Sequence, residues 1–235
     1  MNEGKLSKRL EAVAMEIPSQ SVLADIGSDH AYLPCYAVLQ GMISYAIAGE
    51  VVDGPFHAAQ SNVQQCGLEA KISVRKGNGL DVLQAGEADV ITIAGMGGAL
   101  IRDILERGKD KLQGVTRLIL QPNIGSYVVR KWLMENDWEL ISEKILEEDG
   151  KIYEILVAEV GDVYRPYRNQ LEAGLLMGPY LLREQSDVFR KKWLHELTNL
   201  RRIHHQLEGA APGEETTQKR EEMTRKIQLI EEGLV

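Results

Sequence analysis

Apolar and polar positions along the chain repeat with two periods. Leu6, Leu10, Val13, Ala14 and Ile17 recur at helical spacing, which predicts an amphipathic helix over residues 5–16, stopped by Pro18. Short apolar runs then alternate with helical segments. The runs 22–26, 45–48, 72–75, 90–93 and 118–120 predict strands, and 33–40, 55–66, 100–106 and 128–135 predict helices. Two further strand-like runs, 138–146 and 152–160, flank Glu147-Glu148-Asp149-Gly150, a hairpin signal.

Alternating strands and helices give a parallel sheet with right-handed crossovers. The hairpin adds one antiparallel strand at its end. That order resembles the class I S-adenosylmethionine (SAM) methyltransferase sheet more than a dinucleotide-binding Rossmann sheet. After Asp162 the pattern becomes wholly helical. Phe189, Trp193, Leu197, Leu200 and Leu207 form one seam, and Met223, Ile227, Ile230 and Leu234 a second, with a turn at 209–213. The expected architecture is an α/β Rossmann-like catalytic domain over 1–162. An antiparallel helical hairpin, a coiled coil with helices near 30 residues, follows over 163–235 and is expected to project.

Composition adds limits. The 235 residues are 44% hydrophobic and 26% charged, an ordinary globular balance with no run long enough to suggest a membrane span. Residues 1–10 are polar, so no leader is expected. Cys35 and Cys66 have no metal spacing and are expected as reduced thiols. The net charge of −8 is uneven: −8 over residues 1–161, +3 over 162–205 and −3 over 206–235. The basic segment is a candidate phosphate footprint, and a solvated helix face fits it as well.

The chemistry lies at the strand ends. In an open α/β sheet, ligands bind outside the carboxyl ends of the strands. The first strand ends in Asp25-Ile26-Gly27-Ser28-Asp29-His30-Ala31-Tyr32. A pyrophosphate site requires glycine at the position held by Asp29, because phosphate approaches bare backbone. NAD is therefore disfavoured, and a cationic ligand such as SAM is favoured. Asp25, Gly27, Ser28 and His30 form the expected cofactor turn. Glu50, ending the second strand beside Val51, fits a ribose acceptor. Asn78 and Gly79 fit an adenine edge, although a plain tight turn is as good a reading of the glycines. Ala94, Gly95 and Met96, in an expected Gly-rich turn, allow close backbone approach.

The stretches SKRL, DIGSDHAYLP, AIAGEVVDGP, GNGL, ITIAGMGG, LILQPN and ILEEDGKIYEILV resemble the TrmK family of bacterial tRNA adenine-N1 methyltransferases. The resemblance is dense over residues 5–160. It implies SAM as cofactor, tRNA as partner, and methyl transfer to N1 of adenosine 22 in the D-arm. It also implies a helical hairpin that helps to hold tRNA.

Adenine N1 carries an in-plane lone pair, so the reaction needs positioning and an acceptor for the growing positive charge more than a base. Asp29 is the first catalytic candidate, with a helix N-cap as its bland alternative. Asn123 is a candidate base-edge contact, with a turn role equally open. Tyr32 is a candidate stacking partner for an extruded base, against ordinary packing. Lys5, Lys8, Arg9, Arg190, Lys191, Lys192, Arg201 and Arg202 are the expected RNA contacts. His195, His204 and His205 lack metal-binding spacing, so no metal is expected. The protein is expected to be cytoplasmic and a monomer. Two other readings remain at this level: a SAM enzyme for a small molecule or protein, which would need no basic arm, and a non-catalytic RNA binder, which would not need the intact acids.

Overall fold

In a computed structural model, residues 4–168, 170–208 and 213–235 are described. The strands are β1 (Val22–Ile26), β2 (Tyr45–Glu50), β3 (Ile72–Lys76), β4 (Val90–Gly97), β5 (Arg117–Ile124), β6 (Trp138–Glu148) and β7 (Lys151–Val160). They form one sheet in the order β3-β2-β1-β4-β5-β7-β6. The first five run parallel, and β7 lies antiparallel to both β5 and β6. Leu23, Ile91, Ile93, Leu118, Ile119 and Leu120 are fully buried, as expected of parallel strands covered on both faces. The covering helices are α1 (Lys8–Ala14), α2 (Tyr32–Leu39), α3 (Asp53–Gln65), α4 (Gly98–Arg107) and α5 (Ser126–Glu135). Strand order reverses between β1 and β4, which opens a crevice at their carboxyl ends.

Two features tie distant parts of this unit together. Ser7 caps α1 through Leu10 N–H (3.2 Å), and Glu148, at the end of β6, accepts from the N–H groups of Lys8 (2.6 Å) and Arg9 (3.3 Å). Beneath α5, the Arg130 guanidinium is fully buried and binds Glu143 of β6 (2.6 Å) and Glu154 of β7 (2.7 Å).

The chain divides into two units, Met1–Val163 and Tyr164–Val235. The second holds α6 (Leu171–Met177), α7 (Pro179–Glu184), α8 (Asp187–Glu208) and α9 (Glu214–Gly233). Its helices are shorter than the expected 30 residues, at 22 for α8 and 20 for α9. Residues 171–184 make two separate short helices instead. The break is Gly178 at φ +95°, with Pro179 restarting the next helix. Contacts of Arg201 with Glu231 (2.6 Å) and of His204 with Thr224 (3.1 Å) make α8 and α9 antiparallel. Phe189, Trp193, Leu197 and Ile230 of the expected seams are buried. The expected 209–213 turn lies, but for Gly213, outside the described residues. No helix among the described residues is long and apolar enough to cross a membrane.

Candidate active site

The turn after β1 is held in a conformation that its own residues disfavour. Gly27 (φ +71°) is followed by three non-glycine residues in the left-handed region: Asp29 (+36°), His30 (+62°) and Ala31 (+54°). Each such residue costs about 1–2 kcal/mol. The surroundings enforce it. The N–H groups of Gly27 and Ser28 donate to Gly49 O (2.9 and 3.2 Å), and Asp29 N–H donates to Glu50 Oε1 (2.6 Å). Asn62 of α3 donates to His30 O (2.8 Å). Gly27 is favoured there by its φ, and the mobile end of Met96 packs over its bare Cα.

Asp25 sits beneath this turn, buried, with its two oxygens accepting from Ser28 Oγ and Thr92 Oγ1, both at 2.6 Å. Burial pushes its carboxyl up to about 6, against the lowering effect of the two hydroxyl donors. A folded-state value above the unfolded one means that the folded chain keeps a proton the unfolded chain loses. Asp25 therefore favours folding most below about pH 4, and that contribution is lost as pH rises through about 6. The full difference is about 3 kcal/mol. Asp25→Asn, which cannot titrate, is expected to gain stability relative to wild type between pH 4 and pH 7. Thermal midpoints of the two proteins across that range measure it, and a constant gap would contradict the assignment.

Asp29 projects from the turn with its side chain 72% exposed, Oδ1 lying 3.6 Å from His30 Nε2. It does not cap the following helix: Ala31 occupies the cap position, without a side-chain bond. The His30 and Tyr32 rings stack at 5.2 Å and 13°. Tyr32 is half-buried. Glu50 is 6% exposed, with Oε1 on Asp29 N–H, while Val51 is exposed beside it. Asn78 is exposed at the end of β3. Gly79 (φ +59°) is backed by Ile104.

The Gly-rich run at β4 is not the expected turn. β4 continues through Gly97, with register shifts at Ala94/Met96 and Met96/Gly97, because β5 also continues, through Gln121, Pro122 and Asn123 to Ile124. The tightest backbone approach is Gly98 to Gly125, where a Cβ on Gly98 would fall 2.3 Å from Gly125 O. The two strand extensions are joined by side chains. Gln121 Oε1 accepts from Gly95 N–H (3.0 Å), Gln121 Nε2 donates to Asn123 Oδ1 (3.3 Å), and Asn123 Nδ2 donates to Gly95 O (2.8 Å). Arg9, expected among the phosphate contacts, reaches this network and also donates to Gln121 Oε1.

Of the other basic candidates, Lys5 and Lys8 are exposed at the start of α1. In the second unit Arg190 donates to Leu234 O (3.1 Å), Arg201 pairs with Glu231, and Lys192 lies 4.9 Å from the centre of the Trp193 ring. Lys191 and Arg202 are exposed on α8. Two residues of the site carry no role in the sequence reading, Thr92 and Gln121. Each is a fully buried polar residue at or beside an apolar strand run, and that mismatch is the signal that could have found them.

Residues 23–232 match the family model described as "TrmK: tRNA (adenine(22)-N(1))-methyltransferase". A Bacillus subtilis (strain 168) tRNA (adenine(22)-N(1))-methyltransferase is 56% identical over 233 residues, spanning 99% of this chain and 98% of that protein. The crystal structure of the B. subtilis M1A22 tRNA methyltransferase TrmK superposes with a TM-score of 0.97 at 55% identity, covering 99% of this chain and 100% of that one. A Streptococcus pneumoniae protein, Sp1610, solved in complex with S-adenosyl-L-methionine, gives 0.87 at 44% identity, covering 98% and 100%.

Proposed function

The chain belongs to the TrmK family and is a SAM-dependent tRNA (adenine(22)-N1)-methyltransferase, and from that premise we propose how its own residues divide the work. The observation that carries the reading is the state of the turn after β1. Three consecutive N–H groups, of Gly27, Ser28 and Asp29, are already taken by Gly49 O and Glu50 Oε1. None is left to cradle a phosphate, and an exposed carboxylate stands at the turn. A sulfonium and an amino acid ammonium suit this donor set, and a pyrophosphate does not.

SAM, when bound, supplies an electrophilic methyl group. Glu50 keeps Oε2 as an acceptor for ribose hydroxyls, and Asn78 with Gly79 serves the cofactor's adenine edge. Gly27, Ser28, His30, Val51 and Ala94 to Met96 form the surrounding wall. Asp25 acts from beneath by fixing Ser28. Asp29 accepts from the amino group of the target adenine and stabilises the charge that grows on the base. Asn123 holds the base edge, and Tyr32, stacked on His30, flanks it. Lys5, Lys8, Lys191 and Arg202 contact tRNA phosphates, with Arg190, Lys192 and Arg201 adding to the basic surface of α8. No metal has a role, and the protein works as a monomer in the cytoplasm.

The test is direct. Full-length protein, labelled SAM and unmodified tRNA are incubated, and the product is digested to nucleosides and mapped. Label is expected as 1-methyladenosine at position 22, with tRNA affinity falling steeply as salt rises. Label in another nucleoside would overturn the reaction, and a flat salt response would overturn the phosphate contacts.

A further inference from the structure

We propose that Arg9 is a positioning residue of the methyl-transfer site, acting through Gln121 on Asn123. The inference rests on the reading of Asn123 as a base-edge contact. Gln121 is fully buried, and its amide has two faces that differ only in hydrogen-bond polarity. Its Oε1 receives two donors at once, Gly95 N–H and the Arg9 guanidinium. A rotated amide would turn its NH2 group onto those donors. Both are obligate donors, so Arg9 and Gly95 together lock the orientation that leaves Gln121 Nε2 facing Asn123 Oδ1. Asn123 is thereby locked in turn, with Nδ2 on Gly95 O. What Asn123 can offer a base is then fixed: one remaining Oδ1 lone pair and one remaining Nδ2 hydrogen.

Arg9 is itself held for this task. Its guanidinium lies 5.3 Å from the centre of the Tyr153 ring. Its backbone N–H is bound by Glu148. Its Nη1 lies against Gly95, 3.5 Å from where a Cβ on that residue would stand. A half-buried guanidinium already bonded to an amide and set over a ring is poorly placed to meet a phosphate.

The test compares Arg9→Lys, Arg9→Met, Gln121→Glu and Asn123→Ala in the full-length enzyme. Gln121→Glu keeps the acceptor for Arg9 and Gly95 but removes the donor to Asn123. Arg9→Lys keeps the charge and a donor, but its Nζ stops short of the Nη1 position and it loses the planar group that rests over Tyr153 and aims that donor. Each is expected to lower kcat about 10-fold or more, with KM for tRNA and SAM affinity within about twofold of wild type. The Arg9→Lys/Gln121→Glu double variant is expected to be no slower than the slower single one. A phosphate contact behaves differently: Arg9→Lys would be near wild type, and Arg9→Met would raise KM and reduce the salt dependence, and that pattern overturns the proposal. A slow Asn123→Ala enzyme with Arg9→Lys at wild-type rate overturns the proposal alone. An Asn123→Ala enzyme at wild-type rate overturns the base-contact reading and the proposal with it.

Discussion

Arg130→Met is expected to lower the stability of the protein by about 3–5 kcal/mol, read as a fall in the urea midpoint with the slope of the transition unchanged. The side chain is fully buried between two carboxylates, Glu143 and Glu154, which are 0% and 2% exposed. Methionine replaces its aliphatic stem but supplies no positive charge and no donors. The two buried carboxylates would then lose the guanidinium that lies between them, and breaking a buried ion cluster by removing one member costs more than a hydrophobic replacement of the whole group. The triple variant Arg130→Met/Glu143→Leu/Glu154→Leu is therefore expected to recover most of the loss. If the single variant unfolds at the wild-type midpoint, the cluster does not contribute as described.

Asp29→Asn is expected to lower kcat about 100-fold, with SAM affinity and thermal midpoint near wild type. Asparagine is the informative replacement because Asp29 sits at φ +36°, where asparagine is tolerated and alanine is strained. The backbone of the turn and its bond to Glu50 are kept, and only the negative charge is removed. Single-turnover rates with saturating SAM and tRNA measure the step directly. Turnover near wild type would remove Asp29 from the chemistry and leave it as a structural part of the turn.

Much of this architecture is legible in the sequence because parallel strands are short apolar runs and the helices between them are periodic. The hairpin follows from Asp149-Gly150, and the cofactor turn from the acid at position 29. The extensions of β4 and β5 are not legible, since Gly95-Met96-Gly97-Gly98 and Gln121-Pro122-Asn123 carry turn residues. Pairing between the two strands overrides that local preference. Arg9 reads as one more cation near Lys5 and Lys8, because its partners Gln121 and Tyr153 are 112 and 144 residues away. Arg130 is hidden in the same way: a charged residue in a helix gives no sign that two acids will be buried beside it. The break at Gly178 is visible as Gly-Pro, but the seam that follows suggests longer helices than form.

The docking of α1 has a consequence for the order in which the protein is made. Glu148, which binds two of its first N–H groups, lies 140 residues downstream of Lys8, and Gln121 lies 112 downstream of Arg9. Contacts this distant along the chain close late, after the loop entropy between them has been overcome. A nascent chain that has emerged through β5 already has all five parallel strands, yet its first helix still lacks the Glu148 carboxylate and the Tyr153 ring. This segment, made before the rest of the domain, is thus among the last to settle. The enzyme's working edge is completed only once the hairpin has been synthesised.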